Sequence, residues 1–149
     1  MSPSERAAIA AARDAASKAY APYSQFQVGA ALVTEQDEII TGCNVENASF
    51  GLTLCAERGA AMRAVVQGSR FFFLLAIYTA TESPTPPCGA CRQFLREFAP
   101  NLRILMGCNG DEVQVATLDE LLPESFGPGS LDGGGPDEGD SSPADCKEA

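Results

Sequence analysis

The amino-acid sequence predicts a layered α/β domain, on three observations. Runs with helical composition alternate with short β-prone runs in the order αββαβαββα. Phe71 to Thr79 is apolar without alternation, as expected of a strand buried on both faces. Proline, glycine and acidic clusters fall between the runs and rarely inside them. The first helix opens at Ser2-Pro3-Ser4-Glu5, a capping box with proline at the first helical position, and its Ala-rich body should continue to the turn at Pro22. Phe26 to Thr34 and Glu38 to Cys43 read as a hairpin around Glu35-Gln36-Asp37. An irregular loop should follow from Asn44 to Thr53, then a helix from Ala56 to Val66 that stops at Gly68. Beyond the buried strand, Pro84, Pro86 and Pro87 break the chain. Gln93 to Phe98 resumes an amphipathic helix, which Pro100 ends. Arg103 to Met106 and Val113 to Ala116 are the last two strands, and Asp119 to Leu122 is a terminal helical turn.

At 149 residues the chain suits one domain, large enough to bury a core without disulfides. Its composition changes after Phe126, where Gly127-Pro128-Gly129 opens a stretch of Gly, Pro, Ser and acids. Residues 1–126 are therefore expected to form the folded domain and residues 127–149 a disordered acidic tail. The formal net charge of −10 disfavours nucleic-acid polymers as partners, because it repels phosphate. Half of that charge lies in the tail, which carries six acids and one lysine. The first fifteen residues lack the apolar core of a signal peptide, and the longest apolar run, Phe71 to Ile77, is too short to span a bilayer. The expectation is a soluble cytoplasmic protein that acts on a small molecule, with no membrane partner. In a reducing compartment its six cysteines point to metal or catalysis rather than to disulfides.

Cys55-Ala56-Glu57 followed by Pro87-Cys88-Gly89-Ala90-Cys91 supplies three thiolates and a carboxylate in a chain with no histidine. The 33 positions from Cys55 to Cys88 are about the size of a helix-strand-loop excursion, so the three sulfurs can meet if both helices start at one sheet edge. Structural zinc closes its tetrahedron with four protein ligands, whereas catalytic zinc keeps one position for water or substrate. Three thiolates around one divalent ion leave a net negative charge, which weakens its power to acidify water. Two helix N-termini, each worth about half a positive charge, and the adjacent Arg58 and Arg92 would offset it. Arg58 is the candidate donor to a thiolate. Glu57, two positions from Cys55, can shuttle protons without binding the metal. Pro-Cys-Gly-Ala-Cys alone fits a redox pair as well as a metal site. Cys55, Glu57 and the missing histidines favour metal. The competing arrangement is a structural four-cysteine site closed by Cys43 or Cys108, and a lone glutamate on a helix is usually solvated.

Four separated motifs extend the pattern: Tyr-Ser-Gln-Phe-Gln-Val-Gly-Ala-Ala-Leu at 23–32, Asn-Val-Glu-Asn-Ala-Ser at 44–49, Cys-Ala-Glu-Arg at 55–58 and Pro-Cys-Gly-Ala-Cys-Arg-Gln at 87–93. Together they resemble the small, homotetrameric, zinc-dependent cytidine deaminases. They also match an all-cysteine version of the H-x-E…P-C-x-x-C pattern of zinc nucleobase deaminases. The resemblance runs from the first helix to Phe126. It implies a three-layer α/β/α fold with a five-stranded mixed sheet, and one Zn²⁺ per subunit held by Cys55, Cys88 and Cys91. It makes Glu57 the proton shuttle and Arg58 the donor to zinc thiolates. Asn44 and Glu46 become sugar contacts, Phe26 lines the pyrimidine pocket, and Ala56 is a further substrate-binding position. Phe126 resembles the C-terminal aromatic that reaches a neighbouring subunit's base, so active sites would lie at interfaces of a homotetramer.

Three positions depart from the family's usual residues. Phe50 stands where Tyr is frequent, Gly51 where Pro is common and Gly59 where Thr is common. The implied reaction is hydrolysis of cytidine and 2′-deoxycytidine to uridine and 2′-deoxyuridine with release of ammonia, in pyrimidine salvage. The alternatives are a deaminase of a cytosine-containing antibiotic, against which Glu46 argues, and a non-enzymatic zinc-stabilised module.

Overall fold

The structure, a computed structural model, describes residues 1–131. Helix α1 (Pro3–Ala16) starts at the expected capping box. Ser2 Oγ accepts from the Glu5 amide at 3.1 Å, and Glu5 Oε2 accepts from the Ser2 amide at 2.7 Å. The helix ends well before Pro22, because the chain turns out to pair elsewhere. The Tyr20 amide donates to the Asn44 carbonyl and the Glu46 amide to the Tyr20 carbonyl, which gives a short parallel bridge with Val45.

Strands β1 (Val28–Thr34) and β2 (Ile39–Cys43) form the expected hairpin. A 3₁₀ turn at Phe50–Leu52 lies inside the predicted irregular loop. It is followed by α2 (Ala56–Val66), β3 (Phe72–Thr79), α3 (Gly89–Arg96), β4 (Arg103–Gly107), β5 (Val113–Thr117) and α4 (Leu118–Leu121). The sheet order is β2-β1-β3-β4-β5, with β3 and β4 parallel and every other pair antiparallel. This is the five-stranded mixed sheet expected from the motifs. A second 3₁₀ turn, Pro128–Ser130, carries defined structure past the predicted boundary at Phe126. The remainder of the predicted disordered tail, residues 132–149, lies outside the described residues.

Period-two alternation distributes the strand side chains between two cores. Ala30, Leu32, Leu75, Ile77, Ile104 and Met106 face α2, α3 and α4, where they meet Ala56, Ala60, Ala61, Ala64, Leu95 and Leu118. Ala31, Val33, Leu74, Ala76, Tyr78 and Leu105 face α1 and meet Ala8, Ala12 and Ala16. A run that is apolar on both faces is what β3 needs at the centre of three layers. Each fully buried leucine of that centre, such as Leu75 or Leu105, contributes about 1.5–3 kcal/mol relative to exposure.

Two glycines set how closely the helices approach the sheet. A Cβ on Gly29 would lie 1.9 Å from the Ala12 carbonyl oxygen of α1. One on Gly42 would lie 2.4 Å from both the Ala56 carbonyl oxygen and the Ala60 nitrogen of α2. Gly42 therefore lets the first turn of α2, which bears Glu57, rest directly on β2.

Candidate active site

Cys55 is the N-cap of α2 and Cys88 the N-cap of α3, while Cys91 lies in the first turn of α3. Both capping residues are extended, and neither thiol caps its own helix, so the sulfurs remain available. The three sulfurs lie within 4.8 Å of one another, and Cys55 Sγ and Cys88 Sγ are 3.8 Å apart. Two sulfurs each about 2.3 Å from a tetrahedral zinc are separated by about 3.8 Å, so the donor set fits that ion. Cys43 and Cys108 are engaged elsewhere: their thiols donate to the Lys18 and Glu112 carbonyls at 3.6 and 3.5 Å. Among the described residues the sulfur cluster therefore has three members.

The electrostatics of the corner follow from two helix starts and one guanidinium. The Cys55 thiol is pushed down to about 5, first by a hydrogen bond from Cys91 and then by Arg58 and Cys88, against the opposing effect of burial. Cys91 moves the opposite way, because it gives that hydrogen bond and is buried. Arg58 Nη2 donates to Cys55 Sγ at 3.6 Å and to the Thr53 carbonyl at 3.4 Å. Arg58 Nε is buried with no partner among the described residues. Arg92 takes a different role from the one its sequence position suggests. Its Nε donates to the Pro87 carbonyl at 2.8 Å and its Nη1 to the Leu121 carbonyl at 2.7 Å, so it braces the loop and α4 and does not face a thiolate.

Glu57 is only 4% exposed, in the first turn of α2 beside the sulfurs. Burial raises its carboxyl above the ordinary value, and the neighbouring Cys55 adds to the rise. Such a group holds a proton more readily than a surface glutamate, which suits a side chain that must both accept and return one. The solvated glutamate that composition alone would suggest is not found here.

Of the predicted substrate contacts, Phe26, Asn44 and Glu46 lie on a rim of irregular chain, whereas Ala56 opens α2 and Phe126 follows α4. Ala56, the first residue of α2, is fully buried. Asn44, also buried, spends its amide on the segment leading into β1. Its Nδ2 donates to the Phe26 carbonyl at 2.8 Å, and its Oδ1 accepts from the Val28 amide at 2.8 Å. Glu46 Oε2 accepts from the Tyr23 and Ser24 amides at 2.9 and 3.2 Å, and Oε1 accepts from the Ser24 hydroxyl. The Phe26 ring is 41% exposed. Phe126 is 59% exposed, and Gln93 Nε2 of α3 donates to its carbonyl at 3.0 Å.

Arg96 Nε, from the same helix, donates to Ser125 Oγ at 2.8 Å, so α3 holds the segment that carries Phe126. Sequence reasoning read Ser24 and Gln93 only as parts of motifs and Arg96 only as part of a helix, and gave none of them a role. Gln93 and Arg96 lie on α3 at a spacing that places them near one another, but the segment they hold is about thirty residues away, where no local pattern could announce it.

Comparison with known proteins agrees with this geometry. The family described as the cytidine and deoxycytidylate deaminase zinc-binding region matches residues 2–108. A cytidine deaminase of Halalkalibacterium halodurans is 47% identical over 109 residues, spanning 72% of this chain and 83% of that protein. One from Mycobacterium tuberculosis is 40% identical over 116 residues, spanning 78% and 84%. The crystal structure of cytidine deaminase from Burkholderia pseudomallei superposes with a TM-score of 0.80 at 46% identity, covering 85% of this chain and 100% of that one. That of the Mycobacterium tuberculosis enzyme gives a TM-score of 0.72 at 38% identity, covering 83% and 97%. By the match to that family over residues 2–108 and by these identities, the chain belongs to the zinc-binding cytidine and deoxycytidylate deaminases.

Proposed function

We propose that the protein hydrolyses cytidine and 2′-deoxycytidine to uridine and 2′-deoxyuridine with release of ammonia; the relatives that support this reading are named cytidine deaminase. The observation that carries this reading is the buried Glu57 carboxyl beside three converging sulfurs. Cys55, Cys88 and Cys91 hold one zinc per subunit, and zinc held there supplies the Lewis acidity that lets water act as a nucleophile near neutral pH.

Glu57 performs the proton transfers. Its carboxylate takes a proton from the water that adds to C4 and delivers it to ring nitrogen N3. It then takes the remaining proton from the hydroxyl now on C4 and gives it to the departing amine, so that the C4 carbonyl forms, the C–N bond breaks and ammonia leaves. Arg58 donates to the Cys55 sulfur and offsets the excess thiolate charge. Phe26 and Ala56 line the pyrimidine, Asn44 and Glu46 hold the sugar, and Phe126 completes the pocket of a neighbouring subunit.

The wider setting follows from the same reading. The subunits assemble as a homotetramer. Exposed Tyr20, Tyr23, Phe50 and Leu52, clustered along the rim, support a covered face there. The enzyme serves pyrimidine salvage in the cytoplasm on a free nucleoside, not on a nucleic-acid polymer. No helix among the described residues is long and apolar enough to cross a membrane. Residues 1–126 are the catalytic unit, and the acidic segment after Phe126 is dispensable for turnover. The test is to incubate the fully zinc-loaded protein with cytidine and follow ultraviolet absorbance. Conversion to uridine with one ammonia released per turnover is expected, and unchanged cytidine rejects the reading.

A further inference from the structure

Phe26, Asn44 and Glu46 share one hydrogen-bond network whose hub is a side chain outside all of the roles above. Ser24 Oγ donates to Glu46 Oε1 and accepts from the Phe26 amide at 3.0 Å. The same carboxylate accepts from the Tyr23 and Ser24 amides through Oε2. Asn44 secures the other side of Phe26, through its carbonyl and the Val28 amide. Between Ser24 and Phe26, Gln25 sits at φ 59°, a left-handed conformation disfavoured for a residue with a Cβ. Within the turn the Gln25 amide donates to the Ala21 carbonyl at 3.1 Å, and Glu46, Ser24 and Gln25 Nε2, which donates to the Pro22 carbonyl at 3.0 Å, add side-chain support.

We propose that Ser24 is a positioning residue for sugar recognition: its hydroxyl holds the Glu46 carboxylate and the Phe26 backbone together, leaving one carboxylate acceptor site for a sugar hydroxyl. The proposal rests on the nucleoside reading above. A carboxylate offers about four acceptor sites. The Ser24 hydroxyl and the Tyr23 and Ser24 amides occupy three of them. Asn44, with one N–H given to Phe26 and one lone pair to Val28, retains one donor and one acceptor. The remaining capacity matches one hydroxyl that donates to Glu46 while accepting from Asn44. The Ser24 hydrogen bond, followed by the two amides, also keeps the Glu46 carboxyl below its ordinary value and therefore ionised as an acceptor. Without the hydroxyl, Oε1 is free to rotate toward water and the Phe26 amide loses its partner, leaving Asn44 alone to hold the Phe26 backbone.

The experiment compares kcat/KM for cytidine and for 2′,3′-dideoxycytidine, which lacks the 2′ and 3′ hydroxyls and keeps the 5′ one. Ser24→Ala should lower the preference for cytidine over the dideoxy compound about tenfold, through KM for cytidine with little change in kcat, and Ser24→Thr should restore it. In a Glu46→Gln background the Ser24→Ala change should have no further effect on that preference. A loss of the same size for both substrates, or an additive loss in the double variant, overturns the proposal, because a merely structural role produces those results. Independently of turnover, Ser24→Ala should shift the Glu46 carboxyl titration upward in a carbon NMR experiment, and an unmoved midpoint overturns the assignment. Failure of the wild-type protein to convert cytidine overturns the proposed function instead, and the Glu46 titration still reports on Ser24.

Discussion

The sulfur corner and the rim proposed to bind the nucleoside adjoin in the chain, Leu54 of the rim preceding Cys55 of the corner, yet the two are built by different means. The corner stands on regular structure: two helix starts supply all three sulfurs and Glu57, and α2 is seated on β2 through the bare backbone of Gly42. The rim, residues 20–28 and 44–54, has almost no regular structure. It is held by two isolated bridges, Tyr20 to Val45 and Val45 to Leu54, and by side chains that bond to backbone. A reacting group needs a fixed position and a dry environment, which a buried helix terminus provides. A recognition surface needs donors and acceptors pointing outward. Irregular chain supplies these, provided that other side chains hold it in shape.

This division is exposed to attack at both ends. Cys91→Ala should have the largest effect. It removes a buried ligand, so zinc content by elemental analysis should fall from one equivalent per chain to near zero, turnover should be lost, and the melting temperature should drop. Normal zinc content in that variant would separate the corner from its three sulfurs. Glu57→Gln comes next. It should retain zinc and the fold while kcat falls by about 10²–10⁴, the usual contribution of a positioned proton carrier. If KM changed in place of kcat, Glu57 would belong to recognition and the comparison would break.

Asn44→Ala tests the rim. Two backbone groups, the Phe26 carbonyl and the Val28 amide, lose their partners, so a stability loss of about 1–3 kcal/mol in urea titration should accompany a raised KM, with zinc content unchanged. The smallest effect distinguishes the two regions by sign. Glu46 is held below its ordinary value, so its stabilisation of the rim is complete above pH 4.5 and is lost as pH falls through the folded value. Glu57 is held above its ordinary value by burial. Its contribution is therefore complete below pH 4.5 and is lost as pH rises through the folded value. In zinc-free protein, Glu57→Gln should remove that second loss and stabilise the fold at neutral pH relative to pH 4, while Glu46→Gln should weaken the acid dependence. Carboxyl titrations that place both midpoints on the same side of 4.5 would erase the contrast.

Much of the corner could be read in advance, because the chemistry is carried by side chains whose spacing is itself the signal. Cys55 sits where helical composition begins, and Cys88 lies just ahead of a helix that starts at Gly89, earlier than the expected Gln93; a cysteine there is available to a metal at a positive helix end. The strands were equally legible, since β3 is apolar on both faces and β1 and β2 flank a polar turn. The rim was less so. Tyr20 was expected inside a helix that should reach Pro22, because Ala-rich chain favours helix locally. Its pairing with Val45, twenty-five positions away, overrides that propensity. Arg92 was read as a counter-charge from its place beside Cys91, whereas the direction in which a helix points each side chain turns it to Pro87 and Leu121.

By itself, then, the sequence determined the element order and singled out three cysteines and one acid as candidates for a common site, because periodicity and residue chemistry are local properties that survive without knowledge of the fold. Only the tertiary structure decided that Cys43 and Cys108 face away from the corner, that Glu57 is buried enough to hold a proton, and that Ser24 binds Glu46 across twenty-two residues. Those outcomes depend on burial and on contacts between distant segments, which the packing of α2 and the rim on the sheet creates and no local pattern contains.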